Sequence, residues 1–224
     1  MKPLREVLKV DLPVVEKGDN DPCVRCPHTP VDPRVLRCEH RKRYPGGRCS
    51  LVEAYLAHER QVLLGRGVPL RALEVLRAKM RRTEALDVAR RHFQEIRRGR
   101  WLVLSGPTGS GKTVAAVFVL LWMFRTGVRD VRFVPAYEFD GSGEISRFLV
   151  LDDLGLETRE WPVVREIYRR YDRVFPMVIT TNLPLSRLRS RYGERVYSRI
   201  REVGIGYELA EGDIRKGNPD GAGL

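Results

Sequence analysis

Apolar residues along this chain fall into short blocks separated by Gly, Pro and charged positions. Four blocks are near-continuous and of strand length: Trp101 to Ser105, Val131 to Pro135, Arg147 to Asp153 and Met177 to Asn182. Such runs suit strands buried on both faces. Tyr207 to Ala210 reads as a last, shorter strand. Between the runs the pattern turns helical. Val114 to Phe124 is an apolar helix. Glu160 to Arg173 is a helix that tolerates Pro162 in its first turn, and Leu185 to Val203 is a helix interrupted at Gly193. Strands alternating with helices predict an α/β domain with a mainly parallel sheet.

Upstream, residues 51–98 are helical by pattern and broken near Gly65-Arg66-Gly67-Val68-Pro69. Leu86, Ala89, Phe93 and Ile96 recur at three- and four-residue spacing, with Thr83 as N-cap. The expected division is an arm over 1–22, a Cys-rich module over 23–50, a helical linker over 51–82, the α/β domain over 83–216 and a tail over 217–224. No run reaches the roughly 18 apolar residues of a membrane span. The first seven residues lack a signal-like apolar stretch. A cytoplasmic protein with no membrane partner is expected.

Charge sharpens the picture. A formal net charge of +12 favours a polyanionic partner, most simply nucleic acid. The excess is uneven. Arg34, Arg37, Arg41, Lys42, Arg43 and Arg48 face a single acid, Glu39, and residues 71–100 carry ten basic and four acidic side chains. All four cysteines lie between positions 23 and 49, with His28 and His40 interleaved. In a cytosolic protein that grouping favours metal over disulfides, and thiolates suit tetrahedral Zn²⁺. The simplest structural zinc site is Cys23, Cys26, Cys38 and Cys49, with His40 able to replace one of the two later cysteines. Free buried thiols and a redox pair are the competing readings.

The chemistry concentrates between the first apolar strand and its helix. Gly106-Pro107-Thr108-Gly109-Ser110-Gly111-Lys112-Thr113 matches G-x-x-x-x-G-K-[ST]. The backbone from Gly106 to Gly111 is expected to cradle phosphates. Lys112 reaches the β and γ phosphates, and the Thr113 hydroxyl ligates Mg²⁺. About 40 residues on, an apolar strand ends in Asp152 and Asp153. Asp152 is expected to hold Mg²⁺, and Asp153 to orient the attacking water. Asn182, ending the next strand, can position that water through its amide. Arg195 and Arg199 sit four apart on one helix face, and an arginine there can neutralise transition-state charge from a neighbouring subunit. The set predicts an ATP-hydrolysing enzyme. The intact acid pair argues against an adaptor that uses ATP only as an assembly ligand.

These motifs carry a resemblance. Gly106 to Thr113, Leu151-Asp152-Asp153-Leu154-Gly155-Leu156-Glu157, Ile179-Thr180-Thr181-Asn182-Leu183 and Tyr192 to Ile200 together resemble AAA+ ATPases of the DnaC/DnaI-type helicase-loader family, with IstB-type transposition helper ATPases close by. The resemblance spans roughly residues 83–216. It implies a five-stranded parallel sheet with the P-loop strand central, preceded by a small zinc-binding module and helices. Asn182 falls on sensor 1, Arg199 on the arginine finger and Arg215 on sensor 2. The implied activity is ATP-dependent loading of a hexameric replicative helicase onto single-stranded DNA. The implied self-association places the ATP site between subunits. The alternative is a transposition helper acting on duplex DNA with a transposase. Two departures stand out. Only about ten residues, Glu138 to Arg147, occupy the place of a longer helical insertion, and the second acid is Asp153 where AAA+ enzymes broadly carry Glu.

Overall fold

In a computed structural model the described residues are 28–29, 31–38, 49–78, 82–142 and 144–210. The chain divides into two compact units, Met1–Gly65 and Arg66–Leu224.

In the first unit a 3-10 turn, Pro33–Arg37, precedes helix α1, Ser50–Gly65. Asp32 caps the turn by accepting from the Arg34 N–H at 2.9 Å. Val35, Cys49, Leu51, Val52 and Tyr55 form a small apolar cluster. Cys49 is therefore buried, and Cys38 is half-buried just after the turn. Cys23, Cys26 and His40 lie outside the described residues, so the expected zinc set is only partly in view.

The second unit holds, besides a 3-10 turn at Ala136–Glu138, the elements α2 (Leu70–Arg77), α3 (Glu84–Arg97), β1 (Trp101–Ser105), α4 (Lys112–Arg125), β2 (Val131–Pro135), β3 (Phe148–Leu154), α5 (Glu160–Arg173), β4 (Met177–Thr181), α6 (Leu185–Tyr192), α7 (Glu194–Val203) and β5 (Gly204–Glu208) in that order. The strands form one parallel five-stranded sheet in the order β2-β3-β4-β1-β5. β1 and β4 are buried at every position, their near-continuous apolar runs ending in the buried polar residues Ser105, Thr180 and Thr181. Trp101, Val103, Leu149, Leu151 and Ile179 join a core with Val163 and Ile167 of α5, Leu188 of α6, and Val196 and Ile200 of α7. The alternate strand residues point to the other face, where α4 packs on β2, β3 and β4. That placement explains why α4 is apolar nearly all round. Thr83 caps α3 as expected, its hydroxyl accepting from the Leu86 N–H at 3.2 Å. No helix among the described residues is long and apolar enough to cross a membrane.

One boundary differs from expectation. The last strand is Gly204–Glu208, not Tyr207 to Ala210, and it pairs with β1 from Trp101↔Gly204 onward. Gly204 and Gly206 lower its strand propensity and hide it in the sequence. The division between the two units falls at Gly65/Arg66, inside the span read as a helical linker over 51–82, so α2 lies in the second unit. The segment after the split is tied to the sheet. The Phe133 N–H on β2 donates to the Arg66 carbonyl at 2.9 Å. Gly67 follows at φ +85°, where a Cβ would lie 2.3 Å from the Phe133 carbonyl oxygen, so only glycine fits.

Candidate active site

β1 and α4 place the P-loop at the carboxyl ends of the strands, where parallel α/β sheets bind ligands. Gly109 and Gly111 take φ values of +85° and +84°, and helix α4 starts at Lys112 with its amino end against the loop. The Lys112 ammonium is buried. It donates to the carbonyls of Gly106 and Pro107, both at 2.8 Å, to Ser110 Oγ at 3.3 Å and to Asn182 Oδ1 at 3.0 Å. Burial lowers its pKa, and the charges of Asp153 and Asp152 oppose that shift. Asn182, predicted from the end of the fourth apolar run, is therefore brought directly to the P-loop lysine.

Asp152 meets Thr113. The threonine hydroxyl lies 3.1 Å from both carboxylate oxygens, and the Thr180 hydroxyl donates to Asp152 Oδ1 at 2.6 Å. Burial raises the Asp152 carboxyl to about 6, against the hydrogen bonds of Thr180 and Thr113. A hydroxyl and a partly desolvated carboxylate in contact form a hard oxygen pair suited to Mg²⁺.

A local irregularity separates the two acids. β3 and β4 pair in register at Leu151↔Ile179 and again at Leu154↔Thr181. Asp152 and Asp153 thus oppose the single residue Thr180, which is a β-bulge. Thr180 serves both acids, since its hydroxyl also accepts from the Asp153 N–H at 2.9 Å. Asp153 sits at φ +55° in the left-handed region, which turns its side chain away from the ladder. Asp153 lines the cavity at the P-loop.

That cavity measures about 460 Å³. Thr108, Gly109, Gly111, Lys112, Thr113, Asp153 and Asn182 give it a phosphate-binding wall, and Pro69, Arg71, Ala72 and Val75 of the α2 region give it another. The α2 wall was not expected from the sequence. Its only signal is Pro69 followed by an amphipathic turn, which reads as a linker until the fold brings it to the P-loop.

Glu157 also emerges only from the structure. The sequence places it in the Asp-Asp-Leu-Gly-x-Glu string without a role. It is buried and accepts from Tyr192 Oη at 2.6 Å, Arg191 Nε at 3.0 Å and the Gly155 N–H at 2.8 Å. Burial pushes its carboxyl up, but hydrogen bonds from Tyr192, the backbone and Arg191 more than reverse that and leave it below the usual range.

Arg199 does not line the cavity of its own chain. Its guanidinium lies over the rings of Tyr168, at 4.3 Å, and Tyr171, at 5.1 Å, and donates to the Arg195 carbonyl at 3.1 Å. Arg195 is exposed on the same helix. Arg215 lies outside the described residues.

No protein-family model matches the chain, and no curated protein matches it. Solved structures do. The crystal structure of the DnaC helicase loader is similar at 25% identity and a TM-score of 0.51, covering 63% of this chain and 99% of that one. The crystal structure of DnaI is similar at 21% identity and a TM-score of 0.44, covering 57% of this chain and 81% of that one. AMPPCP-bound DnaA from Aquifex aeolicus is similar at 17% identity and a TM-score of 0.44, covering 55% of this chain and 44% of that one. With its parallel 2-3-4-1-5 strand order, the fold is AAA+-like and related to that of the DnaC loader.

Proposed function

We propose that this chain is an ATP-dependent loader that places a hexameric replicative helicase onto single-stranded DNA, with ATP binding and hydrolysis switching assembly and release. The observation that carries the hydrolytic part is the convergence of Lys112, Thr113, Asp153 and Asn182 at one cavity, with Asp152 bonded to Thr113 beside it. The likeness to the DnaC helicase loader supports the loading part.

In this reading the P-loop amides and Lys112 hold the triphosphate, and the wall of Arg71, Ala72 and Val75 takes the base. Thr113 and Asp152 would ligate Mg²⁺, which supplies charge neutralisation on the β and γ phosphates. Asp153 accepts a hydrogen bond from the attacking water, and Asn182 orients it. Arg199 completes the site of a neighbouring copy, and Arg215 contacts nucleotide in its own chain. Cys23, Cys26, Cys38 and Cys49, or His40 in place of one later cysteine, would hold Zn²⁺, which would organise the amino-terminal module that grips the helicase.

The test is capture of the hexameric helicase from the same host, with and without ATP. A complex that responds to ATP and loses that response in Lys112→Ala supports the proposal. No complex under either condition sinks it. Filaments on duplex DNA without helicase binding would assign the chain to transposition assistance instead.

A further inference from the structure

We infer that Glu157 is a positioning residue for hydrolysis: it clamps the turn that carries Asp153 to the corner of α6 and α7 that carries Arg199. This rests on the ATPase reading above and deepens it.

The turn needs holding. Asp153 is a non-glycine residue at φ +55°, in a bulge where two residues face one. Such a conformation is strained and persists only where its surroundings over-determine it. Three side chains do so here. Thr180 Oγ1 accepts from the Asp153 N–H at 2.9 Å. Thr181 Oγ1 donates to the Leu154 carbonyl at 2.6 Å. Glu157 Oε2 accepts from the Gly155 N–H at 2.8 Å, while the Leu156 N–H closes the turn onto the Asp153 carbonyl at 3.2 Å. The first two anchors come from the neighbouring strand, and Glu157 supplies the third from beyond the turn.

Its other oxygen reaches elsewhere. Oε1 accepts from Tyr192 Oη at 2.6 Å and from Arg191 at 3.0 Å (Nε) and 2.9 Å (Nη2). Arg191 and Tyr192 are the last two residues of α6. Gly193 then turns the chain at φ +82° into α7, which bears Arg195 and Arg199. One buried carboxylate thus bonds the turn that carries Asp153 with one oxygen and the arginine-bearing corner with the other. Charge-assisted bonds of this kind are short and directional. Glu157 and its partners Gly155, Arg191 and Tyr192 do not line the cavity, so loss of the clamp should disturb Asp153 more than nucleotide binding.

The experiment compares wild type, Glu157→Ala, Glu157→Gln and Tyr192→Phe in the full chain. Steady-state ATPase and the affinity for a fluorescent ATP analogue are measured well below each melting temperature. Glu157→Ala is expected to lower kcat about tenfold or more while KM and analogue affinity stay within about twofold. Glu157→Gln, which keeps an acceptor, should recover part of the loss. Tyr192→Phe should lower kcat less, and adding it to Glu157→Ala should cost little more, because both remove the same link. An unchanged kcat in Glu157→Ala overturns the inference. So does a parallel loss of kcat, affinity and melting temperature. If Glu157→Ala does not fold, Tyr192→Phe and Glu157→Gln decide alone, and unchanged kcat in both rejects the clamp. Absence of hydrolysis by wild type overturns the ATPase reading and the clamp with it. Hydrolysis by wild type with no effect of the variants overturns only the clamp.

Discussion

Asp152 titrates near 6 because burial penalises its charge more than Thr180 and Thr113 relieve it. The unfolded chain ionises this carboxyl near the ordinary value of 3.8. Between about pH 4 and 6 the folded protein therefore binds more protons, and this group's contribution to stability falls as pH rises through that window. Above 6 the full penalty remains, of the order of 2–3 kcal/mol. Asp152→Asn keeps an oxygen for both threonine hydroxyls and removes the charge. It should melt several degrees higher than wild type at pH 7.5, show no such gain at pH 4, and abolish hydrolysis. Thermal denaturation at the two pH values checks this. A variant that melts lower at pH 7.5 would show that the carboxylate is not the destabilising group. Residues of this kind were legible in the sequence when their chemistry is local. Gly106 to Thr113 is a continuous string, and Asn182 ends an apolar run. Glu157 was not legible as a clamp, because its partners lie 34 and 35 positions away and nothing in either segment announces the other.

α5 shows the same limit at the scale of an element. Its extent follows from apolar spacing and from Pro162 in the first turn, and the helix forms where expected. Its most buried large side chain is Arg170, which no periodicity predicts. Arg170 Nε donates to Glu166 Oε1 at 2.8 Å, Nη2 to the Ser146 carbonyl and hydroxyl at 2.9 and 3.0 Å, and Nη1 to the Pro176 carbonyl at 3.2 Å. Burial brings its pKa down to about 10, so it stays charged at neutral pH. Arg170→Ala should cost about 3–5 kcal/mol in urea unfolding, since Glu166 and two carbonyls lose their donor inside the protein. Replacing Glu166 and Arg170 together by Leu and Met should recover much of that loss. If the single and double variants unfold alike, the bridge carries no such role. The same reasoning explains β5. Two glycines erased its apolar signature, and only pairing with β1 gives it strand geometry.

For the whole molecule, net charge is the property the sequence states most plainly. If single-stranded DNA is a partner, the logarithm of its affinity should fall linearly with the logarithm of salt concentration, with a slope of about −0.7 per phosphate contact. Fluorescence anisotropy of a labelled oligonucleotide across a salt series measures it, and an affinity indifferent to salt would reject the basic side chains as the source of binding. The bond from Phe133 to Arg66 has a different whole-molecule consequence. β2 is one rim of the sheet, and a bare rim is a template on which foreign strands can grow. The backbone at Arg66–Gly67 occupies an outward amide of that rim. Strand-to-strand accretion is discouraged at that rim.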